Sequence, residues 1–137
     1  MNPYQVYREQ QTIGWSRIDL LLALYDGAIE RLEQTRQALA RADRTAAAPL
    51  LVRSQRIVLE LAASLDFKYG EVSKNLHRLY LFVMGAMSGT KPDIEAALAV
   101  LRVLREGLEG IRPEAIQLER SGAIPPADEP YGLRATG

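Results

Sequence analysis

The chain contains no cysteine, which excludes disulfides and thiolate metal sites. Histidine is nearly as scarce. The single residue, His77, has Lys74 three positions before it, so the Glu-x-x-His pairs of a di-metal carboxylate bundle are missing. Net charge is zero, with 17 basic against 17 acidic residues, and that balance gives no reason to expect a phosphate-binding surface. Neutrality also weakens a helix-turn-helix reading of residues 44–80 built on Arg44, Arg53 and Arg56. There is no Gly-rich phosphate loop, nucleophile elbow or zinc spacing, and Asp26, Asp66 and Glu71 are scattered carboxylates that capping and solvation explain. Long apolar runs are absent too: LLLALY at 20–25, between Asp19 and Asp26, is far too short to span a bilayer. The opening MNPYQVYREQQ has neither the basic nor the apolar region of a secretory signal. The expectation is a cytoplasmic protein that is not an enzyme, with no cofactor, no metal, no nucleic-acid partner and no membrane insertion.

What is present is helical periodicity over 137 residues that are 47% hydrophobic, enough for one compact core. Ser16, with Asp19 three residues on, forms a capping-box variant, and Trp15 and Leu20 occupy the hydrophobic-staple positions. Ile18, Leu21, Leu22, Tyr25, Ile29, Leu32 and Leu39 then recur at helical spacing, and the first helix ends near Arg41–Asp43. Asp43 or Thr45 can cap the second helix. Pro49 calls for a late start near Ala46 or a kink, since it lacks a backbone donor. Leu50, Ser54, Ile57, Val58, Leu61, Ala62 and Leu65 form its stripe. The third helix runs from about Glu71 to Met87 on Val72, Leu76, Leu79, Tyr80, Val83 and Met87, with Leu79 read as core. After SGTKPD, Pro92 suits the first turn of a fourth helix carrying Ile94, Ala97, Leu98, Leu101, Leu104, Leu108 and Ile111,. Pro113 ends or bends it, and PEAIQLERSG leaves room for a short fifth helix. No segment alternates with a period of two, so the fold class is all-α, an antiparallel four-helix bundle with mobile tails at both ends. The expected division is a single helical domain over 1–121, with an N-terminal arm over 1–15, and a flexible C-terminal tail over 122–137.

Two helices carry more apolar residues than one stripe needs. On the fourth, Ala96, Val100, Val103 and Gly107 make a second row; on the third, Leu81, Phe82 and Ala86 lie outside the core positions. Helices that each touch two neighbours would show the same pattern, as would a homodimer interface. A groove for a partner segment is the functional alternative. Small residues such as Ala96 and Gly107 let a backbone approach closely. Gly27 and Gly107, each costing roughly 1 kcal/mol relative to Ala inside a helix, belong to the same question. In the arm, Tyr4, Val6, Tyr7 and Ile13 stand among polar residues, an amount of apolar surface that favours docking through Tyr7 and Ile13 near the first-helix cap.

NPYQVYREQQ, LLLALYDGAIERL, AASLD and GEVSKNLHRLY, in that order, resemble the flagellin-specific export chaperones of bacterial flagella, the FliS family. The resemblance covers roughly residues 2–111, and LYDGAI at 24–29 and SLD…NL..LY at 64–80 are its most specific parts. Gly14-Trp15-Ser16-Arg17 stands where the family usually has Thr-Ala-Ser-Pro, and VMGAMSG follows Phe82 where the family tends to be polar and basic. The resemblance implies a small cytoplasmic bundle that binds the disordered C-terminal segment of flagellin in hydrophobic grooves. It would keep flagellin from polymerising early and present it to the export gate of the flagellar secretion system. It also places the segment around Tyr7 close to the client. The candidate client-binding residues are therefore Tyr7, Ile13, Leu81, Phe82, Ala96, Val100, Val103 and Gly107.

Overall fold

The computed structural model describes residues 16–125. They form helices α1 (Arg17–Ala40), α2 (Arg44–Ala63), α3 (Glu71–Ala86), α4 (Ile94–Gly110) and α5 (Arg112–Arg120), with a 3-10 turn at Phe67–Tyr69 before α3. The all-α bundle with a short fifth helix is thus borne out. Tyr7, Ile13 and Trp15 of the arm, and residues 126–137, lie outside the described residues.

Helices α1, α2 and α4 each begin where a side chain satisfies a free amide, whereas α3 and α5 start after Gly70 and Ile111 without a side-chain cap. The Ser16 hydroxyl accepts from the Asp19 amide and the Asp19 carboxylate returns the bond to the Ser16 amide, a complete capping box,. Asp43 accepts from Ala46 N at 3.0 Å and Asp93 from Ala96 N at 3.0 Å,. Two expectations are corrected here. Asp43 starts α2 at Arg44, ahead of Pro49, which sits inside the helix. The donor that Pro49 lacks would have served the carbonyl of Thr45, an exposed residue in the first turn that water can reach,. Pro92 lies before the cap of α4 rather than in its first turn, because Asp93 takes the capping position.

Both α1 and α5 stop in a left-handed residue. Asp43 N donates to Ala38 O past Ala42 at φ 58°, and Ala123 N donates to Leu118 O past Gly122 at φ 82°, the same reverse turn with glycine in one case and alanine in the other. In the α2–α3 connection, Asp66 accepts from Lys68 N at 3.0 Å and the Ser73 hydroxyl donates to Asp66 O at 2.7 Å.

Helix α1 packs on α2 and α4, and α3 closes the ring by packing on the same two. Helices α1 and α3 therefore stand on a diagonal. At the centre, Leu32, Ile57, Val58, Leu61, Val83, Leu98 and Leu101 are fully shielded from solvent. Across the diagonal runs one polar contact, the Tyr25 and Tyr80 hydroxyls at 2.6 Å, with both side chains buried. Gly27 is buried against α2: a Cβ there would meet Ile57 Cδ1 at 3.4 Å, ordinary contact distance, so the helices approach closely without strictly demanding glycine. Beside it the Ser54 hydroxyl donates to Ala28 O at 3.3 Å.

Burial corrects four of the expected core positions. Val72 is 65% exposed, Ile111 52%, Leu39 37% and Leu79 36%. Val72, Leu39 and Ile111 sit at or just beyond helix ends, where the ring of neighbours runs out. Leu79 lies mid-helix on a side of α3 that no helix covers.

The seam of α1 with α4 and the start of α5 is lined with ion pairs in antiparallel register. Asp19 pairs with Arg112 at 2.7 Å, Asp26 with Arg105, Glu33 with Arg102, and Arg36 with Glu95 at 2.9 Å. Such exposed pairs add little stability each, but they cover the seam with charge and hold its register. Helix α5 extends this seam, with the Glu119 carboxylate accepting from Arg17 N at 2.9 Å.

Two predictions follow from these contacts. Removing one hydroxyl, as Tyr25→Phe or Tyr80→Phe, strands the other in the core and should cost about 1–3 kcal/mol by thermal or urea unfolding. The double Phe variant should recover part of that loss. A double variant as unstable as the sum of the singles would show that the hydroxyls act separately. The Asp19 carboxyl is held below its ordinary value, first by its bond to the Arg112 guanidinium and, against opposing desolvation, by Ser16. A depressed folded value means that this stability is present above the unfolded pKa of about 3.9 and is lost as pH falls through the folded value. Asp19→Asn should lower the melting temperature at neutral pH and converge with the parent in strong acid.

Candidate client-binding surface

Helix α3 is the least buried of the four long helices; Ser73, Tyr80 and Val83 are its buried residues. The ion pairs of α4 identify the side that faces α1, since they rise from Glu95, Arg102 and Arg105. At roughly 100° per residue, Ala96, Val100, Val103 and Gly107 fall on the far side of α4, toward its other neighbour, α3. Val103 is 68% exposed, Ala96 and Val100 are half-buried, and Gly107 is exposed with nothing within 4 Å of where its Cβ would be.

The flanks of α3 separate in the same way. His77 meets Phe67 edge-on, ring centroids 5.5 Å apart, and Phe67 belongs to the connection from α2. The His77 flank thus faces α2, and Leu81, one turn on, shares it. Phe82 shares the opposite flank with Leu79 and Ala86, at i−3 and i+4. The candidate residues therefore divide. Phe82 lies with Ala96, Val100, Val103 and Gly107 along the α3–α4 groove, whereas Leu81 lies on the α2–α3 flank.

Both surfaces are larger than the sequence pattern implied. Leu79 and Val72 extend the α3–α4 groove toward Ile111, and they were missed because their spacing also fits the core stripe. Val52 and Leu59 of α2, 42% and 54% exposed, join Leu81. Their seven-residue separation off the main stripe was the available signal. Among the described residues, no three His, Asp or Glu are grouped to hold a metal, and no helix is long and apolar enough to cross a membrane. His77 serves as a packing ring against Phe67. The carboxylates of Asp26 and Asp66 are engaged in an ion pair and a cap.

Exposure separates groove from core experimentally. Val103→Asp should leave stability within about 0.5 kcal/mol of the parent, as surface substitutions do, whereas Leu101→Ala two residues away should cost about 2–5 kcal/mol. Urea midpoints of the two variants make the comparison, and a large loss for Val103→Asp would move that row into the core.

A family model described as "Flagellar protein FliS" matches residues 1–115. No curated protein matches the chain.

Proposed function

The chain belongs to the FliS family of flagellar proteins, and on that premise we propose that it is a cytoplasmic export chaperone, not an enzyme, that binds the disordered C-terminal segment of flagellin. The observation that carries this reading is the unpartnered apolar strip beside α3, from Phe82 and Ala96 through Leu79 and Val103 to Val72 and Ile111. An amphipathic client helix with residues at i, i+4 and i+7 fits such a strip. Gly107 and Ala96 leave room for its backbone.

The client would wrap from this groove toward Leu81 on the other flank, with Tyr7 and Ile13 of the arm bordering it. Wrapping suits the energetics. A disordered segment loses several kcal/mol on ordering, so it needs wide apolar contact. About 1,500 Å² of apolar burial gives roughly 35–40 kcal/mol gross, most of it offset by chain and association entropy. Binding of that kind occupies the surfaces with which flagellin would polymerise and remains reversible for transfer to the export gate. In this reading residues 1–121 act as one chaperone domain and the remainder as a tail.

Calorimetry of the full chain with the C-terminal segment of flagellin tests the reading. The expected result is a 1:1 complex with a large negative heat-capacity change, strongly weakened by Val103→Asp or Phe82→Asp at unchanged helicity. No heat and no co-migration would refute flagellin as client. Concentration-dependent self-association abolished by the same substitutions would assign the groove to a homodimer instead.

A further inference from the structure

The α2–α3 flank differs from the α3–α4 groove in its charge. The Gln55 amide donates to Met87 O at 3.0 Å, so that side of α2 faces the end of α3, and Val52 and Leu59, at i−3 and i+4 from Gln55, lie along it. Arg56 stands between Val52 and Leu59 at helical spacing, and across the flank Lys74 and Arg78 stand one and two turns around Leu81 and His77. Arg56 and Arg78 are exposed and have no carboxylate within ion-pair distance among the described residues. Lys74 reaches only Glu71 of its own helix, at 3.8 Å. The result is an apolar strip of Val52, Leu59, Phe67 and Leu81 with a cationic border.

A second copy docked symmetrically would bring two cationic borders into one interface, so the border selects an acidic, apolar segment. The chain carries one. Residues 126–137 read ADEP YGLRATG after Pro126, with Asp128 and Glu129 just ahead of Tyr131 and Leu133. Its starting point is held: α5 ends in the turn at Gly122, and the Arg17 side chain donates to Pro125 O at 3.1 Å. That point lies at the N-terminal end of α1, the end of the bundle where the antiparallel α2 finishes and α3 begins. From there Asp128 and Glu129 stand three and four residues on, roughly 10–13 Å of extended chain at roughly 3.3 Å per residue, against roughly 10 Å by which Arg56 and Arg78 lie inside the ends of α2 and α3 at 1.5 Å per residue,.

We infer that the C-terminal segment docks back on the α2–α3 flank, with Asp128 and Glu129 against Arg56, Lys74 and Arg78, and with Tyr131 and Leu133 on the strip of Val52, Leu59 and Leu81. Tethering makes the contact intramolecular, with an effective concentration in the millimolar range, so two apolar anchors and two charges suffice. Any other ligand of this flank must displace the segment, which lowers its apparent affinity by the fraction of open molecules. The inference stands apart from the flagellin reading and requires no client.

Because the chain has no cysteine, Thr136→Cys supplies a single site for a nitroxide spin label on the full-length protein. Amide signals of Val52, Arg56, Leu59, Arg78 and Leu81 should be lost to paramagnetic broadening while those of the α1–α4 seam persist. They should return on raising the salt concentration and in an Asp128→Lys, Glu129→Lys background whose bundle is intact by circular dichroism. Broadening confined to α5 and the start of α1, or centred on Phe82 and Val103, would overturn the proposal. So would broadening that vanishes on dilution with unlabelled protein, which marks contact between copies.

Discussion

The hydrogen bond between the Tyr25 and Tyr80 hydroxyls is the contact on which the placement of α3 rests. Helices α1 and α3 are diagonal members of the ring, so little else connects them directly. Two phenols that satisfy one another need no water and no third partner, and burial pushes the pKa of both phenols up, which keeps them neutral. A neutral pair at the centre of an apolar core accepts one geometry, because sliding α3 along its axis would leave both hydroxyls unpaired. That constraint lets a helix with few buried residues keep its position while both of its flanks remain open.

The other seams close by different physics. Between α1 and α2, Gly27, Ala28 and Ser54 bring the helices together, and the buried hydroxyl of Ser54 is satisfied by a carbonyl across the contact. Between α1 and α4 the outer edge is covered by ion pairs in antiparallel order, with the acid on α1 except at Arg36–Glu95. A wrapping apolar segment would have to desolvate those charges to enter there. The α3–α4 groove imposes no such penalty, because Phe82, Leu79, Val100 and Val103 offer apolar surface. The α2–α3 flank is intermediate, apolar along its floor and cationic at its border. One bundle thereby presents two surfaces that different ligands can distinguish.

Much of this was legible from spacing and capping. The Ser16–Asp19 box, the stripe of α2 and the off-stripe row on α4 were each readable because helical period and cap chemistry are local. Errors gathered where local rules compete with neighbours. Pro49 suggested a late start for α2, yet Asp43 caps it early and the unmatched carbonyl lies in an exposed turn. Val72 and Leu79 stand four residues before and three after Leu76, the spacing of true core residues, but no fourth neighbour lies beyond α3 to cover them. Phe82 and Leu81 are adjacent in sequence and were grouped together, although one step of 100° sends them to different grooves.

By itself the sequence determined the class of fold, the four long helices, the absence of thiol chemistry and the existence of surplus apolar positions, because period, caps and composition act over a few residues. Only the tertiary structure decided which surplus positions share a surface. That depends on which helices are neighbours, and the neighbours were chosen by contacts far apart in the chain. The Tyr25–Tyr80 bond, the Asp26–Arg105 pair and the reach of Gln55 to Met87 are such contacts, and no local pattern encodes their partners.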